Sequence, residues 1–354
     1  MDNIRKKELV GLNISELEDY MVSMGQPKFR GRQIYQWINC KEINSFWDMS
    51  DLPKDLRRTL VDSAKVSIPR VLKQRVSVDG TRKFLIELED KKKVETVIIP
   101  QNDNSQRYTI CLSVQVGCPI GCAFCATGLS GFHRNMKAYE IVGQLLGSKK
   151  ELKKRLKCND SQIISNVVFM GMGEPMLNYE EMIKSIYIFN DHKGINIGQR
   201  HITISTAGDV KGIKRLAGEN LQVTLAVSLH AATNQLRDKL IPLNRKYPLE
   251  VLMDAVKTYL EVTNRRVTFE YLMLDGVNIS QSDADNLIHL VAPLKCNINL
   301  IPYNEVPELL FRKPLPGSVQ QFYQYLVQGG LSVTLRGERG ADIEAACGQL
   351  KTIN

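Results

Sequence analysis

Three cysteines within eight residues are the group of side chains in this sequence that is best suited to chemistry. They stand in the run Cys118-Pro-Ile-Gly-Cys122-Ala-Phe-Cys125. Three thiolates in one loop can converge on a metal centre, but a structural zinc site needs a fourth ligand from elsewhere in the chain. A four-iron cluster on three cysteines leaves one iron without a protein ligand, where a substrate or cofactor can bind. The spacing favours such an open cluster, with a zinc site as the alternative.

The cysteine run follows the first strand of a series in which strands and helices alternate. Strands rich in Val, Ile and Leu are predicted at 109–115, 166–173, 201–206, 223–230, 266–274, 297–303 and 331–337. Alternation with helices predicts an α/β fold whose parallel sheet is buried on both faces. Seven strands favour a barrel or partial barrel over an open three-layer sandwich.

Polar residues gather where the predicted strands end, and in parallel βα folds this edge of the sheet carries the chemistry. Carboxylates and hydroxyls at such an edge can bind the polar groups of a small ligand. Each position also has an ordinary structural explanation, because Gly-Glu-Pro is a common turn and Ser-Leu-His a common helix start. The residues at these ends are Gly173, Glu174, Ser205, Ser228, Leu229, His230 and Asn304.

We predict three domains. Residues 1–65 are predicted to form short helices, in which Lys and Arg accompany Tyr35 and Trp37. This mixture suits contacts with RNA, and it is equally typical of a solvated helix face. Residues 66–104 predict a small antiparallel β extension with a hairpin turn at Asp79-Gly80. Residues 105–354 predict the α/β core.

The charge distribution indicates a polyanionic partner. The formal net charge is +9, and all of it lies in residues 1–160, including the lysine-rich helix 149–157. Lysines and arginines that neutralise phosphates release counterions, so nucleic acid is the natural candidate, although a surplus of charge for solubility would look the same. Eight cysteines are too few and too unevenly spaced for a disulfide scaffold. The polar N-terminus predicts no signal peptide, and no run is apolar enough for a membrane span, so we expect a cytoplasmic protein.

Several motifs resemble one family. The CxxxCxxC run with its Phe before the last cysteine is similar to the signature of the radical S-adenosylmethionine (SAM) superfamily, in which the open iron binds SAM. Six further motifs, in the same order along the chain, resemble the Cfr/RlmN family of RNA adenine methyltransferases. They lie at 111–118, 171–175, 205–208, 228–231, 301–304 and 339–350.

The resemblance implies the cofactors and the fold. It implies a [4Fe-4S] cluster held by Cys118, Cys122 and Cys125, and two molecules of SAM for each turnover. It also implies a radical SAM core built as a partial (β/α)6-type barrel similar to a TIM barrel. Carried over position by position, Gly173 and Glu174 face the amino end of SAM, and Asn304 faces its adenine. The ribose and nearby groups go to Ser205, Ser228, Leu229 and His230.

The resemblance also implies catalytic roles. Cys347 accepts a methyl group from a first SAM, and the radical derived from a second SAM takes a hydrogen from that methyl group. The carbon radical adds to the adenine, which joins RNA and protein. Cys111 then resolves the crosslink as it forms a disulfide with Cys347. Glu95 matches the proton acceptor of the family, although the spacing between Glu95 and Cys111 departs from the family pattern.

The implied substrates are 23S ribosomal RNA and transfer RNA, methylated at C2 of an adenine. Pro175 favours this activity over the alternative, Cfr-type methylation at C8, because the C8 pattern has Ala after Gly-Glu. A non-enzymatic iron–sulfur protein that binds RNA or senses redox state is a further alternative, but it leaves Cys111 and Cys347 without a role. We expect a flavodoxin- or ferredoxin-type electron donor, no membrane and a monomer.

Overall fold

The computed structural model describes residues 6–101, 106–160 and 162–351. The helices are α1 Ile14–Ser23, α2 Phe29–Asn39, α3 Lys54–Ser63, α4 Ala126–Leu129, α5 Ala138–Leu156, α6 Tyr179–Asn190, α7 Val210–Gly218, α8 Asn234–Leu240, α9 Leu249–Thr263, α10 Gln281–Val291 and α11 Pro316–Gln328. In these ranges no helix combines the length and the apolar character that crossing a membrane requires.

The strands belong mainly to one sheet. They are β1 Lys7–Glu8, β2 Ala64–Lys65, β3 Arg70–Val76, β4 Arg82–Glu87, β5 Lys93–Pro100, β6 Tyr108–Cys111, β7 Gln115–Gly117, β8 Phe132–Asn135, β9 Ile164–Phe169, β10 Ile202–Thr206, β11 Thr224–Ser228, β12 Val267–Met273, β13 Cys296–Pro302 and β14 Val333–Leu335. Ten of them form a sheet of order β14-β13-β12-β11-β10-β9-β6-β5-β4-β3.

The parallel part of the sheet confirms the predicted α/β class. Seven strands, β6 and β9 to β14, pair in parallel, and each of the first six leads into at least one helix before the next. Among the described residues β14 and β3 are the two edges of the sheet, so it does not close on itself. Six βα units and a final strand agree with a partial (β/α)6-type barrel.

The three strands of the β extension continue the same sheet. β3, β4 and β5 pair antiparallel with one another, and β5 pairs antiparallel with β6 of the core. The hairpin between β3 and β4 contains Asp79-Gly80 in its turn, as predicted, but the connection 77–81 is longer than the two-residue turn expected from the sequence. The division into three domains stays a prediction, since one sheet spans the second and third of them.

The first core strand is shorter than predicted. The run 109–115 divides into β6 and β7, and β7 leaves the main sheet to pair antiparallel with β8. Gly117 allows this close pairing. It has φ +78, and a Cβ at this position would lie 1.8 Å from the Gly131 carbonyl oxygen. The resulting hairpin directs the cysteine run out from the end of the strand.

The N-terminal helices dock on the core through charged groups. A capping box formed by Asn13 and Glu16 starts α1. Glu42, after α2, receives Lys149 and Lys153 of α5, each at 2.9 Å, and the pair with Lys149 is buried. The lysine-rich helix therefore directs part of its charge into the protein.

Candidate active site

The loop between β7 and α4 carries the three cysteines of the CxxxCxxC run. Its start rests on the β7–β8 hairpin, where the Cys118 N–H donates to the Gly131 carbonyl at 3.0 Å. Its middle rests on α8, because the Ala123 N–H donates to the Leu240 carbonyl at 3.0 Å. All three cysteines line one cavity, whose empty volume is about 940 Å³ with its open mouth included.

The donors of this loop fit an iron–sulfur cluster. Within the described ranges, no three His, Cys, Asp or Glu side chains converge closely enough to hold a single metal ion. The three thiols instead share the wall of a cavity that can take a larger group. Soft thiolate donors suit iron–sulfur clusters, and three of them leave one iron for a small molecule.

The residues predicted to bind SAM gather at the same cavity, with two exceptions. The side chain of Leu229 is fully buried in the hydrophobic core. Asn304 lines a neighbouring cavity. The carboxyl ends of β9, β10 and β11 are adjacent in the parallel sheet, and this adjacency brings the remaining five together. These five are Gly173, Glu174, Ser205, Ser228 and His230.

The carboxylate of Glu174 is fixed by backbone N–H groups. It accepts hydrogen bonds from Met176 N at 3.0 Å and Ala207 N at 2.7 Å. Burial raises the pKa of Glu174 to about 7. The preceding Gly173 has φ +103, and a Cβ there would lie 2.6 Å from the Cβ of Gln115. Only glycine therefore lets the end of β9 approach the β7 hairpin this closely.

His230 lies between the cysteine loop and β12. Its Nδ1 accepts a hydrogen bond from Leu272 N at 3.0 Å, and its ring packs edge-on against Phe124, with centroids 4.9 Å apart. Burial, with the nearby Arg237 as a second cause, lowers the pKa of His230 to about 3. The imidazole is therefore neutral, with its proton on Nε2. The backbone of His230 is left-handed, at φ 58.

Cys111 and Cys347 lie far apart in the sequence and line one second cavity, of about 530 Å³ empty volume. Cys347 also lines the first cavity, so it stands where the two meet. Burial and, to a smaller extent, the nearby Cys347 raise the pKa of the Cys111 thiol to about 12, and Arg336 opposes this rise. All eight cysteines are free thiols, so the structure contains no disulfide between these two.

The C-terminal segment that carries Cys347 is held on both sides. On one side the Gly340 N–H donates to Asp79 Oδ2 at 3.0 Å, in the hairpin turn of the β extension. On the other side the Ala126 N–H donates to the Gly348 carbonyl at 2.7 Å. Because Ala126 follows Cys125 directly, this bond ties the Cys347 segment to the cysteine loop.

Glu95 lies in β5, outside both cavities. Its carboxylate forms a buried ion pair with Lys83 at 3.1 Å and accepts a hydrogen bond from Lys351 N at 3.0 Å. Lys83 Nζ also donates to the Glu344 carbonyl at 2.9 Å. The structure therefore places Glu95 at the base of the C-terminal segment, and its role as proton acceptor stays a prediction.

Two charged residues of the site are absent from the sequence prediction. Arg336, just after β14, lines both cavities and interacts with Cys347, Cys111 and Glu270. Glu270 in β12 lines the first cavity, and its carboxylate accepts a hydrogen bond from Asn299 at 2.7 Å. A single carboxylate inside the apolar strand 266–274 was a signal for Glu270. Arg336 follows a short strand and has no comparable signal.

Comparison with known proteins decides the family. The sequence model of the radical SAM superfamily matches residues 112–288, and the model of the ribosomal RNA large subunit methyltransferase N-terminal domain matches residues 7–66. A protein of Syntrophomonas wolfei subsp. wolfei, named probable dual-specificity RNA methyltransferase RlmN, is 61% identical over 353 residues, which is 99% of each chain. The chain belongs to the RlmN family. The resemblance seen in the motifs is thereby confirmed.

Other members of the RlmN family agree in length and fold. A protein of Dictyoglomus turgidum with the same name is 43% identical over 346 residues, covering 98% of this chain and 97% of its own. A crystal structure of a radical SAM methyltransferase from Sphaerobacter thermophilus superposes with a TM-score of 0.91 at 40% identity, covering 97% of this chain and 99% of the other. This RlmN-family chain is an enzyme with the radical SAM fold. The alternative of a non-enzymatic iron–sulfur protein is set aside.

Proposed function

We propose that this enzyme methylates C2 of an adenine in 23S ribosomal RNA and in transfer RNA through a methylated Cys347. The position of Cys347 is the observation that carries the proposal. It lines the cavity of the three cluster cysteines and also the cavity that contains Cys111. One side chain can therefore meet SAM on one side and the resolving thiol on the other.

Cys118, Cys122 and Cys125 hold the [4Fe-4S] cluster, and the cavity in front of them takes SAM. When bound, the cluster supplies the electron that cleaves SAM to a 5'-deoxyadenosyl radical. Glu174, Ser205 and Ser228 line the remaining wall and orient SAM by its polar groups. Two molecules of SAM are used in succession, one as methyl donor and one as radical source.

Cys347 acts as the methyl carrier. A thiolate attacks the methyl group of the first SAM, so that an S–CH₃ bond forms on Cys347 and S-adenosylhomocysteine leaves. The guanidinium of Arg336 lies beside Cys347 and interacts with its side chain. The methyl group then yields one hydrogen to the 5'-deoxyadenosyl radical, and its carbon adds to C2 of the adenine.

Cys111 acts last. Before it acts, the radical adduct has to lose one electron, which the oxidised cluster would take up, and its C2 proton, which goes to Glu95 at the foot of the Cys347 segment. The sulfur of Cys111 then attacks the sulfur of Cys347 and an S–S bond forms. The bond between Cys347 and the methylene carbon breaks, and the released carbon takes up a proton to become the methyl group of the adenine. The thiol of Cys111 is buried and neutral in the resting protein, so it has to lose its proton during this step.

The partners follow from the chemistry. The adenine edge that carries C2 is covered in a paired and stacked helix, so the target base must be unpaired or flipped. We propose that the basic first half of the chain contacts the RNA backbone. A flavodoxin- or ferredoxin-type protein supplies the electrons, and the enzyme works in the cytoplasm as a monomer. Cfr-type methylation at C8 is the second candidate, and Pro175 favours C2 over it.

Replacing the two cysteines one at a time tests the scheme. Cys111→Ala should still form the carbon–carbon bond but fail to resolve it, so the protein accumulates joined to RNA through Cys347. Cys347→Ala should give no adduct and no methylated RNA. The measurement is mass spectrometry of the nuclease-trimmed adduct on the Cys347 peptide, and the methylated nucleosides from wild type distinguish C2 from C8.

Cys296→Ala provides the matched control, because Cys296 opens β13 and lines neither cavity. It should methylate RNA like the wild type. Absence of an adduct in Cys111→Ala, or full activity of either active-site variant, would refute the methylcysteine scheme.

A further inference from the structure

Arg237 is a buried cation without a carboxylate partner. It lies in α8 and its side chain is completely shielded from solvent. Within the described residues, no Asp or Glu oxygen comes within ion-pair distance of its guanidinium. Burying a charge is costly unless another charge compensates for it. The proposed scheme gives Arg237 no role. An anion close to its guanidinium would compensate for the buried charge.

The guanidinium donates four hydrogen bonds to neutral acceptors, three of them at the ends of β10 and β11. It donates to the carbonyls of Ala207 at 2.7 Å, Ser228 at 3.1 Å and Leu229 at 3.1 Å, and to Asn244 Oδ1 at 2.9 Å. These bonds fix the orientation of the side chain but leave its charge unneutralised.

Two carboxylates, of Glu174 and Asp238, are linked to Arg237 only through intermediate groups. Glu174 accepts from the N–H of Ala207, whose carbonyl accepts from Arg237. Asp238 accepts from the amide of Asn244 at 2.7 Å, and the amide oxygen of Asn244 accepts from Arg237. Both carboxylates are thus one group removed from the guanidinium.

The cysteine loop lies directly beside this cation. The loop residue Ala123 bonds to Leu240, three positions after Arg237 on the same helix, and Ala207 and Ser228 line the cavity of the three cysteines. Burial lowers the pKa of Arg237 to about 10, and among the charges that oppose this decrease Cys122 has a larger effect than Asp238.

We propose that Arg237 is the buried countercharge of the iron–sulfur cluster and that it raises the cluster's reduction potential. A four-iron cluster on three thiolates is negative, and reduction makes it more negative by one charge. A fixed cation in a water-free site favours the reduced form. Arg237 lines neither of the two cavities of the site, so we assign it a positioning and electrostatic role and not a catalytic one.

The test is a potentiometric titration of the reconstituted cluster in the full chain, without SAM, followed by electron paramagnetic resonance. Arg237→Gln should disfavour reduction by on the order of tenfold, which is about 59 mV for one electron. Arg237→Lys keeps the charge and should reduce within about threefold of the wild type, which is under about 30 mV. Arg155→Gln removes an exposed arginine of α5 and controls for net charge, with no shift expected.

The outcomes separate this inference from the proposed function, on which it rests only for the cluster. Absence of a four-iron cluster in the reconstituted wild type would overturn both the countercharge and the proposed function. An intact cluster in Arg237→Gln that is reduced at the wild-type potential would overturn the countercharge alone, as would an equal shift in Arg237→Lys. A purely structural clamp predicts that equal shift, since lysine cannot reproduce the four hydrogen bonds.

If Arg237→Gln does not retain a cluster, thermal unfolding of the metal-free proteins distinguishes a countercharge from a structural role of Arg237. A countercharge is uncompensated without the cluster, so metal-free Arg237→Gln should unfold no earlier than the metal-free wild type. A clear decrease in its unfolding temperature would assign Arg237 to structure and overturn the proposal.

Discussion

Glu95 and Lys83 show that one ion pair can decide how an active-site segment is held. Their side chains are almost completely buried, at 4% and 6% exposure. Through Lys351 and Glu344 the pair connects β4 and β5 to both sides of the Cys347 segment. A carboxylate with these partners has a structural role whether or not it also accepts a proton.

Glu95→Gln should lower the free energy of unfolding by about 2 kcal/mol, because Lys83 is then buried without its main counterion. Loss of one partner of a buried pair usually costs ~3–5 kcal/mol, and the remaining contacts of Lys83 with Glu344 reduce this. Urea denaturation provides the measurement. The double variant Lys83→Met/Glu95→Leu should lose less free energy of unfolding than Glu95→Gln alone. Wild-type stability of Glu95→Gln would contradict the structural role of the ion pair.

His230 predicts a specific pH dependence of stability. In the folded protein burial lowers its pKa from 6.5 to about 3, and protonation of Nδ1 would break the bond from Leu272. The unfolded chain takes up the proton at higher pH than the folded one, so the contribution of His230 is present above about pH 6.5 and is lost as the pH falls towards about 3.

The free energy of unfolding should therefore depend less steeply on pH in His230→Asn than in the wild type, between about pH 6.5 and 5. Denaturation series at several pH values measure the slope. His192→Asn, at an exposed histidine, is the control and should leave the slope unchanged. Equal slopes in wild type and His230→Asn would show that the imidazole is not held neutral.

Helix α5 is the element whose role differs most from the expectation. Its lysine-rich end is expected to contact phosphates, yet Lys149 and Lys153 bind Glu42, and Lys150 Nζ donates to the Glu42 carbonyl at 3.2 Å. Lys154 is exposed and free to meet a partner. The helix therefore fastens the N-terminal helices to the core on one face and presents its remaining charge on another.

Glu42→Gln should destabilise the protein by about 3 kcal/mol, since Lys149 is left buried without a counterion. Chemical denaturation measures the loss. Glu151→Gln removes the partner of Arg155 on the exposed face of the same helix, where a pair is worth at most about 0.5 kcal/mol. Equal losses in the two variants would mean that burial of the Glu42 cluster does not determine its contribution.

At the scale of the whole molecule, two aromatic residues of the N-terminal region are more exposed than the two named from the sequence. Tyr35 is buried, and Trp37 donates its indole N–H to Asp51 at 2.5 Å and lies under Lys41. Phe29 and Trp47 are about half exposed, at 47% and 53%. Nucleic-acid bases stack on exposed aromatic rings, so Phe29 and Trp47 give the N-terminal region a surface suited to stacking.

Affinity for RNA should depend on the exposed cations of residues 1–160. Lys154→Ala/Lys157→Ala should reduce the slope of log affinity against log salt by about 1 to 2, because each phosphate contact contributes about 0.7 to 0.9. Lys239→Ala/Lys257→Ala, at two exposed lysines in the half without net charge, is the control and should leave the slope unchanged. The same decrease of the slope in both variants would show that the effect comes from the net charge of the protein and not from contacts made by residues 1–160.

The sequence by itself determined the cysteine loop, the order of the βα units and the gathering of Glu174, Ser205 and Ser228. These features depend on short spacings and on strand ends, which a parallel sheet always brings to one edge. The sequence also identified the family, because its motifs are local runs of residues in a set order.

Only the tertiary structure decided which charges meet. Lys149 pairs with Glu42 from an element distant along the chain, Arg237 lies near the equally distant Cys122, and Lys83 meets Glu95 across two neighbouring strands. Apolar periodicity predicts which face of a helix is buried but not which ion is buried with it, since the choice depends on the element packed opposite. For the same reason the sequence does not show that the two cavities meet at Cys347, because this depends on how the C-terminal segment packs against the rest of the protein.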